Sequence, residues 1–289
     1  MAENSAVGQK VSKRFVAGMT VEDLIVATLA MNRIGVRVTV DNLGENVTNR
    51  EEALHSKALY HQLLDEIERR KLDANVSLKL THMGLDVDPS LAHDTVAELL
   101  QHAIHIGSFI RVDMEGSPYT QKTLDFVREL HRGPNAAGHV GTVLQSYLYR
   151  TEADAKLLCS EGIRIRLCKG AYKEPPAIAY PSKLDVDANY IKLSKQLLKS
   201  GVFHGLATHD EKIINAIKGW ALQEGVAKSS FEFQMLHGVR RDLQESLARD
   251  GWGVRCYIPF GTEWYPYFMR RLAERPANVL FLAKNYFKG

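Results

Sequence analysis

A regular alternation of short apolar runs with longer amphipathic segments is the feature that most constrains the fold of this chain. Eight apolar runs predict β-strands at residues 36–40, 76–80, 109–113, 140–144, 163–167, 202–207, 231–234 and 252–257. The segments between them carry apolar residues at helical spacing, as Val96, Leu99, Leu100 and Ala103 do, and so predict amphipathic helices. Eight strand–helix units imply parallel strands with crossover helices, and eight is the number that closes into a barrel.

The predicted fold class is therefore α/β, a (βα)8 TIM-type barrel with an additional N-terminal helix. Such a barrel takes ~250 residues, so we assign residues 36–289 to it and residues 1–35 to an N-terminal arm and helix that pack on it. Three pairs have capping-box spacing, namely Thr20 with Asp23, Thr48 with Glu51 and Thr151 with Asp154. The first predicts a helix over residues 20–33. The main alternative, an open doubly wound sheet, typically carries a GxGxxG turn, and the sequence has none.

Within the predicted strands, one parity is apolar and the other is polar or charged. Alternate residues of a barrel strand face the helices and the barrel axis. The axial parity carries six cations and three anions: Arg37, Lys79, Arg111, Arg164, Arg166 and Arg255 with Asp41, Asp113 and Glu232. Because an unpaired buried charge is costly, this surplus of cations predicts an anionic ligand. The alternative is that single arginines contact solvent at the bottom of the barrel or pair with acids from loops.

Chemistry-bearing residues follow the predicted strands, where barrel active sites lie. They are Asp41, Lys79, Asp113, Gln145, Arg166, Lys169, Thr208, His209, Gln234 and Tyr257, followed by Trp264, Tyr265, Tyr267, Arg270 and Arg271. Tyr267 shares a helical face with Arg270 and Arg271, whose guanidinium groups suit a carboxylate. Taken alone, this segment favours the alternative of an exposed basic turn beside a core tyrosine. Lys79 fits two roles equally, a Schiff-base nucleophile or a cation paired with Asp113. Asp210 fits a helix N-cap best.

Composition narrows the function classes. The net charge of +3 is too small to indicate nucleic-acid binding. Three cysteines without a CxxC motif suit a reducing compartment. The N-terminus lacks the apolar core of a signal peptide, and no apolar run approaches the ~18 residues of a membrane span. We expect a cytoplasmic protein without a metal site, and leave open its oligomeric state and any peripheral contact with the inner face of the membrane.

Seven motifs occur in an order and spacing that resemble proline dehydrogenase, in its short monofunctional bacterial form. They are LGENV at 43–47, LKL at 78–80, RVDME at 111–115, RLCKGAY at 166–172, ATHD at 207–210, FEFQML at 231–236 and YFMRRLAERPAN at 267–278. The resemblance covers nearly the whole chain. It implies FAD-dependent oxidation of L-proline to Δ1-pyrroline-5-carboxylate by hydride transfer to FAD, the first step of proline catabolism to glutamate. It also implies a membrane quinone as the electron acceptor.

The resemblance further implies a role for each matching residue. Lys79, Asp113 and Arg166 would be catalytic, with Asp113 anchoring Lys79. The substrate would contact Lys79, Tyr257, Tyr267, Arg270 and Arg271, and Glu45 would close over it by pairing with Arg270. FAD would contact Met114, Gln145, Arg166, Lys169, Gly170, Ala171, Tyr172, Thr208, His209, Gln234, Arg271 and Glu274.

Three other functions fit the same barrel. One is a Schiff-base aldolase that uses Lys79 or Lys169. A second is a flavin-dependent reductase that acts on a folate and needs a nicotinamide donor. The third is a binding protein that retains the pocket without turnover, which the presence of every required residue counts against.

Overall fold

The computed structural model describes residues 14–273, except for the side chains of residues 268 and 270–273. Eight parallel strands form a closed barrel in sequence order, each hydrogen-bonded to the next and β8 to β1. The strands are β1 (Arg37–Asn42), β2 (Ala74–Leu78), β3 (Ile110–Val112), β4 (Val140–Gln145), β5 (Arg164–Cys168), β6 (His204–Ala207), β7 (Phe231–Leu236) and β8 (Val254–Phe260). The predicted TIM-type barrel is confirmed, and the doubly wound alternative is wrong.

A helix precedes the first strand and one follows each strand. They are α1 (Val21–Asn32), α2 (Arg50–Arg69), α3 (Pro89–His105), α4 (Ser117–His131), α5 (Thr151–Ser160), α6 (Lys183–Leu198), α7 (Glu211–Gln223), α8 (Arg241–Arg249) and α9 (Trp264–Ala273). Helix α1 packs against β1 and β8, so the predicted additional helix is present. Residues 1–13 of the predicted N-terminal arm lie outside the described residues.

The apolar parity of the strands forms the main core between barrel and helices. Val38, Val76 and Ile165 are fully buried there. The opposite parity faces the barrel axis and carries the predicted charges, of which Arg111, Arg166 and Glu232 are also buried. Alternation with a period of two therefore separates an apolar outer layer from a charged interior.

Of the three predicted capping boxes, only the first is confirmed. Thr20 Oγ1 accepts from Asp23 N at 3.1 Å, and the Asp23 carboxylate accepts in return from Thr20 N. The second was placed one residue early, because Asn49 caps α2 and Thr48 N donates to Glu52 instead. The third is wrong, because Thr151 lies inside α5 and its hydroxyl donates to the Gln145 carbonyl at 2.5 Å.

Strands β2 and β3 end before two residues that the prediction had placed inside them. The chain turns directly after β2, where His82 N donates to the Lys79 carbonyl at 3.1 Å. Asp113 directly follows the last residue of β3, and its backbone N donates to the Leu78 carbonyl at 2.8 Å. Lys79 and Asp113 therefore stand at the C-terminal mouth of the barrel.

Candidate functional site

A cavity of about 540 Å³ opens at the C-terminal mouth of the barrel. Fourteen predicted site residues line it: Lys79, Asp113, Met114, Gln145, Arg166, Lys169, Gly170, Ala171, Tyr172, Thr208, His209, Gln234, Tyr257 and Tyr267. Its size lies within the range of small-molecule sites, ~300–1,000 Å³. The strand ends thus bring together residues that are up to 188 positions apart in the chain.

Asp113 is the centre of a hydrogen-bond network in the cavity floor. Its Oδ1 accepts from Arg166 at 2.8 Å and from Ser77 Oγ at 2.7 Å. Its Oδ2 accepts from the Tyr257 hydroxyl at 2.9 Å. The Arg166 guanidinium also lies over the Tyr257 ring, 5.1 Å from its centre. Asp113 therefore fixes two cavity-lining side chains at once.

The network continues from Arg166 into the barrel. Arg166 Nε donates to Gln234 Oε1 at 2.5 Å, and Gln234 Nε2 donates to Glu232 Oε1 at 2.7 Å. Gln234 crosses the face of Gly205, where a Cβ would lie 2.2 Å from Gln234 Nε2. Glycine at this position in β6 therefore makes room for the chain of contacts, and sequence reasoning gave it no role.

The resemblance implied that Asp113 anchors Lys79. In the structure, Lys79 pairs with Asp41 instead. Its Nζ lies 3.8 Å from Asp41 Oδ2. The implied pairing is wrong because both oxygens of Asp113 already accept from Arg166, Ser77 and Tyr257. The sequence offered one signal for the true partner, since Asp41 also occupies a strand end.

Burial and charge set the ionisation of this pair. Burial raises the pKa of Asp41 to about 6, although Lys79 opposes the shift. Burial by itself lowers the pKa of Lys79, but the neighbouring carboxylates of Asp41 and Asp113 outweigh it and raise that pKa. Lys79 therefore stays protonated near neutral pH. A protonated amine is no nucleophile, so the geometry disfavours the Schiff-base role of Lys79.

The loop after β5 forms one wall of the cavity. Gly170 has φ +134°, and a Cβ on it would lie 2.5 Å from the Tyr147 ring. Ala171 N donates to Gln145 Oε1 at 3.3 Å, which holds the loop against the end of β4. Lys169 Nζ contacts Asp187 at 2.5 Å and Asp210 at 3.2 Å. Asp187 of α6 is a partner that sequence reasoning missed, because only the fold brings α6 to this loop.

The segment after β6 is held by its own polar side chains. His209 Nε2 accepts from Leu236 N at 2.9 Å, which leaves that nitrogen unprotonated and ties β6 to the end of β7. Thr208 Oγ1 accepts from Asp210 N at 3.1 Å. Asp210 caps α7 by accepting from Lys212 N, as predicted.

A second cavity of about 980 Å³ adjoins the first and shares Lys79 and Tyr267 with it. Glu45 lines this second cavity and not the first. The loop that carries it is fixed on both sides, because Leu43 N donates to the Phe260 carbonyl and Asn46 N donates to Thr81 Oγ1. Thr81 in turn donates to the buried Glu115 at 2.6 Å.

The side chains of three predicted site residues, Arg270, Arg271 and Glu274, lie outside the described part of the structure. Arg270 and Arg271 lie in α9, three and four residues after Tyr267, and only their backbone is described. Tyr267 itself is buried and lines both cavities. Glu274 lies outside the described residues. The roles of these three residues remain predictions.

The surplus of interior cations does not converge on the cavity. Only Lys79 and Arg166 of the six line it, and each has a carboxylate partner. The other four, Arg37, Arg111, Arg164 and Arg255, lie at the opposite end of the barrel axis or near it. The six cations therefore cannot be assigned to a ligand in this cavity as one set, because counting charges along the strands ignores their height along the barrel axis. The predicted anionic ligand for the surplus stays a prediction.

A closed parallel barrel whose C-terminal mouth opens into a cavity lined by charged and polar side chains defines a (βα)8-barrel enzyme. The chain belongs to the proline dehydrogenase family, whose sequence model matches residues 25–284. The family identified from the seven motifs is thereby confirmed.

Two named relatives support this assignment. Proline dehydrogenase 2 of Bacillus subtilis is 43% identical over 258 residues, which cover 89% of this chain and 84% of that protein. Proline dehydrogenase of Deinococcus radiodurans is 41% identical over 281 residues, covering 96% and 90%. Relatives of this similarity and coverage match the chain across the whole barrel.

Solved structures agree on the fold. Proline utilization A (PutA) from Bdellovibrio bacteriovorus, inactivated by N-propargylglycine, superposes with a TM-score of 0.85 at 24% identity. PutA from Corynebacterium freiburgense gives a TM-score of 0.81, also at 24% identity. The match covers 92% and 95% of this chain but 32% of each longer protein, so the chain spans about a third of their length.

Among residues 14–273, no helix is long and apolar enough to cross a membrane.

Proposed function

We propose that this protein oxidises L-proline to Δ1-pyrroline-5-carboxylate with FAD as its cofactor. The observation that carries the proposal is the cavity at the barrel mouth. It brings the protonated Lys79, Tyr257 and Tyr267 together with the Gly170 loop and the buried Arg166. Membership of the proline dehydrogenase family supports the substrate. When bound, the flavin supplies the two-electron acceptor, and the protein's task is to bind, orient and exclude water.

The substrate would lie at the end of the cavity formed by Lys79, Tyr257 and Tyr267. The Lys79 ammonium favours an anionic group there, and the two phenol rings offer faces to an apolar ring. Arg270 and Arg271 follow Tyr267 on the same helix at spacings that share a face. We propose that these guanidinium groups bind the proline carboxylate together with Lys79, and that Glu45 pairs with Arg270 once the substrate is enclosed.

The residues of the opposite wall fit a flavin. Gly170 and Ala171 line this wall, and the missing Cβ of Gly170 lets the loop pack against the Tyr147 ring behind it. Met114, Gln145, Tyr172, Thr208, His209 and Gln234 complete this wall. Lys169 supplies a cation at the rim that would attract phosphate, and we propose the same for Arg271 with Glu274 as a further contact. Binding without GxGxxG is expected when a barrel holds the cofactor.

Asp113 and Arg166 would act by position and charge. Arg166 is 7% exposed, and its guanidinium is fixed by Asp113, Gln234 and the Tyr257 ring. A preorganised cation in such a site stabilises negative charge that develops during the reaction. Asp113 accepts three hydrogen bonds and is thus placed to orient Arg166 and Tyr257, which is the catalytic contribution that we propose for it.

The test of substrate recognition is steady-state turnover of L-proline with an artificial electron acceptor. Arg270→Ala and Lys79→Met should each raise KM for proline and leave the flavin content unchanged. In Arg270→Ala the loss of binding free energy should be ~2–5 kcal/mol. Lys122→Met, on exposed α4, is the matched control and should change neither parameter. Unchanged proline kinetics in Arg270→Ala would remove Arg270 from the carboxylate site.

The electron acceptor that we propose is a membrane quinone reached by peripheral contact, on the family resemblance alone. Reduction of a soluble quinone analogue at the expense of L-proline tests the first part. Co-sedimentation of the protein with anionic lipid vesicles tests the second. Turnover only with a soluble protein acceptor would contradict both.

A further inference from the structure

The N-terminal mouth of the barrel, opposite the cavity, gathers four arginines around one carboxylate. We use the name N-terminal mouth for Arg37, Arg111, Arg164, Arg255 and Glu232, with the rings of Phe109 and Phe203. Arg37 pairs with Arg255 in the β1–β8 register, and Arg111 reaches the carbonyl of Arg164 across Gly141. Four guanidinium groups and one glutamate leave an excess of three positive charges.

Both carboxylate oxygens of Glu232 accept hydrogen bonds from neighbouring side chains. Glu232 is 2% exposed, and its oxygens accept from Arg255 Nε at 2.5 Å, from Arg37 at 3.3 Å and from Gln234 Nε2 at 2.7 Å. Burial raises its pKa, but Arg255 and Arg37 outweigh this and lower it, so it remains ionised. This single carboxylate therefore pairs with two of the four arginines, and within residues 14–273 neither Arg111 nor Arg164 has an ion-pair partner.

Arg111 is buried with a donor unused. It is 4% exposed, and its Nη1 donates to the carbonyls of Thr142 and Arg164, both at 2.8 Å. Its Nε is buried and has no hydrogen-bond partner within the described part of the chain. Buried side-chain donors are almost always satisfied, so this orphaned N–H points to a missing acceptor.

Arg164 has aromatic contacts in place of polar ones. Its guanidinium lies 5.4 Å from the centre of the Phe109 ring and 5.2 Å from that of Phe203. Within residues 14–273 it makes no hydrogen bond or ion pair to a described side chain. Rings contact the face of a guanidinium and leave its N–H edges available, which is the forked arrangement that oxyanions accept.

The electrostatics favour an anion here. Burial and then the nearby Arg166 lower the pKa of Arg111, although Glu232 and Asp113 oppose the shift. Burial also lowers the pKa of Arg164, where Arg255 and Arg37 add to the shift and Glu232 opposes it. We propose that the N-terminal mouth is a binding site for a small oxyanion of the phosphate class, held by Arg164 and Arg111 and flanked by Arg37. A doubly charged ligand would offset most of the excess positive charge.

The test is titration of the FAD-loaded protein with inorganic phosphate at constant ionic strength, followed by calorimetry and by the melting temperature. We expect saturable binding that Arg164→Gln weakens at least tenfold. Arg164→Lys should bind with intermediate strength, because it keeps the charge and loses the fork.

Exposed Arg132→Gln is the matched control for removal of one positive charge, since its side chain is 64% exposed. It should leave phosphate affinity unchanged. Equal weakening in Arg132→Gln and Arg164→Gln would reduce the effect to net charge and overturn the proposal. Absence of a saturable effect beyond that of chloride would overturn it as well.

Discussion

Removal of the Asp113 carboxylate should destabilise the protein by an amount that the geometry of the pair sets. Arg166 and Asp113 have side chains that are 8% and 13% exposed, and their oxygen–nitrogen distance is 2.8 Å. Removing one partner of such a pair leaves a buried charge uncompensated, at a cost of ~3–5 kcal/mol. Asp113→Ala should therefore lower the free energy of unfolding by about this amount, with a lower urea midpoint and an unchanged slope.

A double-mutant cycle distinguishes the pair from general damage to the core. Arg166→Met should cost a similar ~3–5 kcal/mol, because it leaves the Asp113 carboxylate without its guanidinium. The double variant should cost clearly less than the two single costs added together, since it leaves neither charge unpaired. Urea unfolding of the FAD-free proteins, followed by circular dichroism, measures all four corners.

The control is Asp125→Ala, whose exposed carboxylate pairs with Arg128 on α4 at 3.8 Å. A surface pair contributes ~0–1 kcal/mol, so this variant should unfold close to the parent. Additive single costs, or an Asp113→Ala variant as stable as Asp125→Ala, would refute the assignment of Asp113 and Arg166 as a coupled buried pair.

Three further predictions concern the loop, the pH dependence and the tyrosine. Gly170→Ala should release FAD, because its φ of +134° and the Tyr147 ring 2.5 Å from a Cβ exclude a side chain; a variant purified with full flavin content would contradict this. Burial lowers the pKa of His82 to about 4 and that of His204 to about 3. Below the unfolded-state pKa of ~6.5 each histidine gains a proton on unfolding but not in the folded protein, so the stability of the fold falls as pH falls. Urea unfolding should show a loss of about 2 kcal/mol per histidine between pH 7 and pH 5, and His204→Asn should remove its share; a parent equally stable at both pH values would contradict this. Tyr257→Phe should lose the 2.9 Å hydrogen bond to Asp113 and ~1.5–3 kcal/mol of stability while keeping the ring over Arg166; unfolding at the parent's urea midpoint would show that the bond contributes nothing.

The barrel could be predicted because its signals are local. Strand parity is read from neighbouring residues, and Val36, Val38 and Val40 carry it without reference to the rest of the chain. Lys79, Gln145 and other cavity residues followed from their places at strand ends, whereas Met114 and Tyr172 followed only from the family resemblance. Glycine at 170 also lay within a motif, although the reason for it, the Tyr147 ring, became visible only in three dimensions.

Partnerships between side chains were harder to predict. Lys79 had two carboxylates within reach of its strand end, and the choice of Asp41 depends on Asp113 being engaged by Arg166 from β5. The second capping box was misplaced because adjacent Thr48 and Asn49 both suit the N-cap, and only the structure shows that Asn49 fills it. The interior charges were counted correctly but not placed, since a sequence does not give the height of each side chain along the barrel axis.

The central claim is tested most directly by the absorbance spectrum of the purified protein, followed by anaerobic titration with L-proline. We predict flavin bands that bleach stoichiometrically as L-proline is added and that return on re-oxidation. A protein that binds flavin but is not reduced by L-proline would contradict the proposed substrate and favour another cyclic amine or a folate. A colourless protein that gains no activity when FAD is added would contradict the flavin-dependent mechanism itself.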